Sequence, residues 1–156
     1  MTTIEFDTNR PPRSQAGGQR LDPVWQRLWF STLQSAWSSL AIVPSDSGID
    51  TKTIAESLAA AGRQHAARAV QIVNGVGVTP SDVEVLAGSV TTAVGRGDLV
   101  LVPVDAIDEN PSAIPLIRVC SAVLLAVRIG ESRLASAKAV VETTGAANVV
   151  GSIVIG

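Results

Sequence analysis

The sequence predicts a three-layer, doubly wound α/β domain around a mainly parallel sheet of about five strands. Three observations carry this. Short runs of uniformly apolar residues recur, as at 99–104 and 123–127, and strands that do not alternate apolar with polar are buried on both faces, as in a parallel sheet. Between these runs lie stretches with apolar residues at helical spacing. The 156 residues suit one domain with a core of its own.

The elements follow in order. Residues 1–21, with Pro11-Pro12 and Gly17-Gly18, read as a disordered N-terminal tail, leaving 22–156 as the domain. Asp22 as N-cap and Pro23 at the first helical position start a helix over 24–37. Residues 40–43 form the first strand and run into the turn-rich 44–48. A helix over 52–66 follows, with Ile54, Leu58 and Ala61 at helical spacing. Gly62 weakens its last turn. Residues 69–73 give a second strand. Thr79-Pro80-Ser81-Asp82 resembles a capping box ahead of a helix carrying Val83, Leu86, Val90 and Val94. A third strand (99–104), a short helix (110–119) and a fourth strand (123–127) come next. A helix over 131–144 stops at Gly145, which suits a left-handed C-cap, and residues 149–155 form the fifth strand.

Composition excludes several functions. A net charge of −2 with unclustered basic residues gives no general affinity for nucleic acid or anionic lipid. The lone Cys120 rules out an internal disulfide and reads as an inert core thiol. The lone His65 supports no multi-histidine metal site and reads as a solvated helix residue. No apolar stretch reaches the roughly 18–20 residues that span a bilayer, and the N-terminus lacks a signal-peptide core. The expectation is a cytoplasmic protein.

In a doubly wound sheet, ligands sit at the carboxyl ends of the strands. After the first strand comes Pro44-Ser45-Asp46-Ser47-Gly48-Ile49-Asp50-Thr51-Lys52-Thr53. A phosphate-binding loop needs Gly-x-x-x-x-Gly-Lys-Ser/Thr here, so that backbone N–H groups wrap the phosphate and the lysine neutralises it. Lys52-Thr53 stands in place, but Asp46 and Thr51 occupy the two glycine positions. Thr51 adds a Cβ where backbone must approach phosphate, and Asp46 and Asp50 add negative charge. The candidate nucleotide-binding residues are thus Gly48, Lys52 and Thr53, the remnant of such a loop. The competing reading is an ordinary capped helix start.

Several stretches resemble the cytoplasmic domain of bacterial tyrosine autokinases (BY-kinases) of exopolysaccharide synthesis, relatives of the P-loop partition and cell-division ATPases. Residues 37–45 and 51–59 resemble that family's first strand, P-loop and helix. Residues 98–103 resemble its Walker B strand, and 121–128 with 132–137 its next strand and helix. The resemblance covers roughly residues 24–156 and implies a P-loop-NTPase-like fold. It also implies that the catalytic equipment is mostly gone. Asn74 and Val76 replace the two aspartates after the second strand, which weakens Mg²⁺ coordination. Pro103 replaces the Walker B aspartate, unless a slipped register recruits Asp105 or Asp108. The segment 80–98 is shorter than the family's usual insertion. The chain has no tyrosine, so it lacks the family's tyrosine cluster, and phosphoryl transfer needs metal and phosphate contacts that only Lys52 and Thr53 could still supply.

Trp25, Leu28, Trp29, Thr32, Leu33 and Trp37 fall near one helical face, with Phe30 pointing elsewhere. Either this face packs on the domain, or Trp25, Trp29 and Phe30 form a docking surface for a partner or a sister subunit. The resemblance places a Glu-x-x-Arg-x-x-Arg oligomerisation motif here; the matching residues are Val24, Arg27 and Phe30, so only Arg27 is kept. One basic residue makes membrane binding through this helix unfavourable.

The expectation is therefore a non-catalytic, kinase-like or ATPase-like protein with no catalytic residue, no metal site and no bound ATP or Mg²⁺. The resemblance implies a partner or regulator in exopolysaccharide biosynthesis and export, meeting a membrane-bound polysaccharide chain-length regulator or another synthesis component. Self-association is compatible with it; nucleic-acid binding and direct membrane insertion are not expected. The alternatives are an atypical ATPase using Lys52-Thr53 with Asp105 or Asp108, and a cell-division or partition-type regulator.

Overall fold

The computed structural model describes residues 2–6, 22–130, 134–145 and 148–155. Six strands and five helices alternate along the chain: β1 (Thr2–Phe6), α1 (Pro23–Thr32), β2 (Ser39–Pro44), α2 (Thr51–His65), β3 (Val70–Ile72), α3 (Val83–Gly95), β4 (Leu99–Pro103), α4 (Ala113–Val119), β5 (Ala122–Arg128), α5 (Leu134–Thr144) and β6 (Val149–Ile155). The strands form one sheet in the order β1-β6-β5-β2-β4-β3, and every pairing is parallel. The predicted three-layer α/β fold is the observed one.

Alternation along each strand divides the core. Leu40 and Ile42 of β2 and Leu99 and Leu101 of β4 face one layer, with Trp25, Leu28 and Trp29 of α1 and Ile54 and Leu58 of α2. Ala41, Val43, Val100 and Val102 face the other, with Val90 of α3, Leu116 of α4 and Val140 of α5. Both sides of β2 and β4 are covered, which is why these strands are apolar throughout.

Three features differ from the sequence expectation. Thr2–Phe6, assigned to a tail, is a sixth strand at the sheet edge, in register with β6 from Thr2↔Gly151 to Phe6↔Ile155. The rest of the expected tail, 7–21, lies outside the described residues, as do 131–133 of the last expected helix. Second, α1 ends at Thr32 rather than running to Trp37. The Thr32 hydroxyl donates to the Trp29 carbonyl at 2.7 Å, and the Trp37 indole N–H donates to the Thr32 carbonyl at 3.1 Å. The Trp37 indole thereby takes the Thr32 carbonyl that a further helical turn would use. Third, α3 begins at Val83 rather than beside Pro80. The Thr79 hydroxyl donates to the Asp82 carboxylate at 2.7 Å, and no side chain caps the helix N-terminus.

At the amino ends of β2 and β5, two serines bind the strands together. The Ser38 and Ser39 amides donate to Ser121 Oγ, the Ser121 amide donates to Ser39 Oγ, and Ser121 Oγ donates to the Ser39 carbonyl. This reciprocal set fixes the central strand pair from which the loops at the opposite end project.

Candidate functional site

The loop joining β2 to α2 occupies the phosphate-loop position of a doubly wound fold. Its geometry begins with α2. Asp50 is the N-cap: its carboxylate accepts the Thr53 amide at 3.0 Å and the Thr53 hydroxyl at 2.7 Å. The Thr53 hydroxyl and amide, the Thr53 hydroxyl and then the amide in order of effect, hold the Asp50 carboxyl below the usual carboxylate range; slight burial opposes this and Lys52 reinforces it. A carboxylate of the chain itself thus supplies the negative charge that a helix N-terminus favours.

Thr51 and Gly48 are also engaged internally. The Thr51 amide donates to the Ile49 carbonyl at 3.1 Å. The Thr51 hydroxyl is buried and donates to the Val104 carbonyl at 2.8 Å, tying the loop to the end of β4. Gly48 has φ +85°, the left-handed region where glycine is unstrained. Its carbonyl accepts Arg128 Nη2 at 2.7 Å, so the last residue of β5 reaches over the loop. Lys52 is exposed.

The neighbouring strand ends are built for closure as well. Asn74 makes an Asx turn, its Oδ1 accepting the Val76 amide at 3.0 Å. Asp105 Oδ2 accepts the Gly77 amide at 2.7 Å and Asn110 Nδ2 at 3.2 Å, while Asn110 Nδ2 also donates to the Val78 carbonyl. Asp105, a metal ligand in the slipped-register reading, clamps two loops together. Asp108 lines a cavity of about 40 Å³ with Ser45, Ile107, Ser136, Val140 and Thr143. That volume suits a water molecule and lies far below the ~300–1,000 Å³ of small-molecule pockets. Pro103 is a buried strand residue. Among the described residues, no group of three or more His, Cys, Asp or Glu side chains could hold a metal ion. Asp46, Asp50, Asp82, Asp105, Asp108 and Glu109 put carboxylates at this end of the sheet, against Lys52 and Arg128. The field there is unfavourable to a polyphosphate.

Gly48 lies in the loop, and Lys52 and Thr53 lie in the first turn of α2; Gly48 and Thr53 are engaged in internal bonds. The sequence pointed to Asp50 only as a charge near an anion; an Asp three residues before a Thr at a helix start was the available cue for its capping role. Arg128 carried no cue, because its partner is 80 residues away.

The aromatic docking surface is corrected in part. Trp29 is fully buried and Trp25 is 8% exposed, so neither indole face is presented to a partner. Trp29 packs edge-on to Trp37, with centroids 5.7 Å apart, and lies on Gly62 of α2. A Cβ at residue 62 would fall 2.7 Å from the Trp29 ring, so glycine allows α1 to approach α2. The Trp29 Nε1 has no hydrogen-bond partner among the described residues. Phe30 remains accessible at 51% exposure and packs at a tilt of 53° against His65, with centroids 4.9 Å apart; His65 also meets Gln26 at 3.1 Å. Cys120 is partly buried, and burial pushes its thiol up to about 12. Among the described residues, no helix is long and apolar enough to cross a membrane.

By sequence, no family model and no curated protein matches the chain. By structure, it is similar to the chimerical protein CapA2B2 (TM-score 0.74, 14% identity, covering 99% of this chain and 92% of that one). It is similar to the kinase domain of Escherichia coli tyrosine kinase ETK (TM-score 0.70, 15% identity, 99% and 89% covered). The BceF tyrosine kinase domain superposes with a TM-score of 0.62 at 14% identity, covering 85% of this chain and 74% of that one. The sheet order, the layers and the position of the β2–α2 loop give this chain the fold of the bacterial tyrosine kinase domains.

Proposed function

We propose that this domain is a non-catalytic relative of the bacterial tyrosine kinases, acting as a binding partner or regulator in exopolysaccharide biosynthesis and export. The observation that carries the reading is the self-capped β2–α2 loop. Asp50 takes the Thr53 amide and hydroxyl, and Arg128 takes the Gly48 carbonyl. A nucleotide would have to displace an internal carboxylate and enter a surface rich in other carboxylates. Lys52 supplies a point charge, but the Thr51 and Thr53 amides are already taken by the Ile49 carbonyl and the Asp50 carboxylate. The pathway rests on the sequence resemblance and on the kinase folds of the similar structures. Its partner is a membrane-bound chain-length regulator or another synthesis component, which recruits the domain from the cytoplasm to the membrane. Phe30 is the accessible aromatic contact for such a partner.

Isothermal titration with Mg-ATP and Mg-ADP tests the non-catalytic part. The expected result is no measurable heat of binding, and a micromolar Kd overturns it. Gene neighbourhood tests the pathway: glycosyltransferase and exporter genes beside this one support it, and division genes point to a positioning regulator instead.

A further inference from the structure

The turn after β3 sets an exposed asparagine, Asn74, before a buried glycine, Gly75. A Cβ at residue 75 would lie 3.0 Å from the Leu116 side chain, the Pro103 carbonyl oxygen and the Val104 side chain, so glycine lets the turn lie close against the end of β4. That fit carries a chemical consequence. The chain has four asparagines, and Asn74 alone precedes glycine; Asn9, Asn110 and Asn148 precede Arg10, Pro111 and Val149. Asparagine is a thermally labile residue. A following glycine has no side chain to hinder its main-chain nitrogen from attacking the asparagine carboxamide carbon.

The fold prepares one half of this reaction and restrains the other. The Val76 amide donates to Asn74 Oδ1 at 3.0 Å, where it favours the negative charge that develops on this oxygen when Cγ is attacked. The Gly75 amide, however, donates to the Pro103 carbonyl at 2.9 Å, beside the parallel bridge Gly75↔Val104. Its hydrogen is engaged and its nitrogen is held on β4. Asp105 secures this arrangement, because its Oδ2 accepts the Gly77 amide at 2.7 Å and Asn110 Nδ2 at 3.2 Å.

We propose that Asn74 is a deamidation site gated by local opening of the 74–78 turn. When the turn leaves β4, the Gly75 amide gives its proton to a solvent base and its nitrogen bonds to Asn74 Cγ. The Cγ–Nδ2 bond breaks, the departing nitrogen takes a proton from solvent and leaves as ammonia, and a cyclic imide remains. A water molecule then opens either carbonyl of the imide. The product is aspartate or isoaspartate at position 74, with a water consumed, an ammonia released and nothing oxidised or reduced. Aspartate adds a carboxylate to the turn that Asp105 already holds. Isoaspartate lengthens the main chain by a methylene, which disrupts the Gly75↔Val104 bridge. Because the Val104 carbonyl also accepts the Thr51 hydroxyl, that disruption reaches the β2–α2 loop.

Incubating the full chain in mildly alkaline buffer and following position 74 by peptide mass mapping tests it. The urea-unfolded chain is expected to convert far faster than the folded one. Asp105→Ala, folded by circular dichroism, converts at Asn74 at least about tenfold faster than wild type, because losing hydrogen bonds to a charged acceptor raises the population of the open turn. Gly62→Ala, which disturbs the distant α1–α2 contact, converts at the wild-type rate. Asn110→Ala takes the place of Asp105→Ala if that variant is unfolded. A folded wild type that converts as fast as the unfolded chain overturns the proposal, as does a clamp variant that converts like wild type. Equal acceleration by Gly62→Ala and the clamp variant also overturns it, since conversion would then pass through global unfolding.

Discussion

Helix α2 is treated in opposite ways at its two ends. Toward its C-terminus, Gly62 removes a side chain so that Trp29 can lie directly on the backbone, and the result is a fully buried ring in a continuous apolar layer. At its N-terminus, Asp50 adds a side chain where the equivalent loop of a phosphate-binding protein leaves room for an anion. One end is complementary to another part of the fold, the other to itself. The first contact holds α1 on α2, while at the other end the chain's own Asp50 carboxylate takes the Thr53 amide and hydroxyl.

The largest expected effect comes from breaking the packed end. Trp29→Ala removes a buried aromatic from α1 and is expected to cost ~3–5 kcal/mol, seen as a lower urea midpoint with little change in m-value. Gly62→Ala should be destabilising by ~1–3 kcal/mol, although alanine is the better helix former, because its Cβ meets the Trp29 ring. A Gly62→Ala protein that is more stable than wild type would mean that α1 and α2 are not in this close contact.

At the capped end the effects are smaller. Asp50→Ala is expected to cost ~1 kcal/mol through loss of the N-cap, and Asp50→Asn much less, since asparagine caps about as well. The pair also has a pH signature. The folded-state pKa of Asp50 is lowered, so its contribution is present above the unfolded carboxyl value and is lost as pH falls through the folded one. Denaturation at pH 7 and at about pH 3 should show the wild type losing more stability than Asp50→Asn across that interval; equal losses would contradict a depressed carboxyl. The smallest effect concerns Cys120. With its thiol raised to about 12, alkylation at pH 8 should be far slower in the folded protein than after unfolding, because the thiolate is the reactive form.

How much of this was legible in the sequence depended on the range of the forces involved. The strands β4 and β5 were read directly, since burial on both faces leaves an uninterrupted apolar run. The Asp22-Pro23 start of α1 was visible because N-capping is local, and the Asp22 carboxylate does accept the Val24 amide. The end of α1 was not, because it rests on Trp37 turning back to Thr32. The aromatic face was recognised as a face, but whether it looked outward depended on Gly62, a residue the sequence presented only as a helix weakener. Strand β1 was hidden because Thr2–Phe6 is short and its pairing partner lies at the far end of the chain. At the candidate site, the misplaced residues at the glycine positions were evident, whereas the Arg128 closure over Gly48 joins residues with no local relation.

The central proposal is that the chain's own Asp50, rather than a phosphate, occupies the N-terminus of α2. Following the backbone amide resonances of residues 45–53 while Mg-ATP is added to millimolar concentration tests it most directly. The account predicts that these signals, and above all the Thr53 amide bonded to Asp50, stay in place. A saturable shift of the 45–53 amides with a micromolar Kd would contradict it.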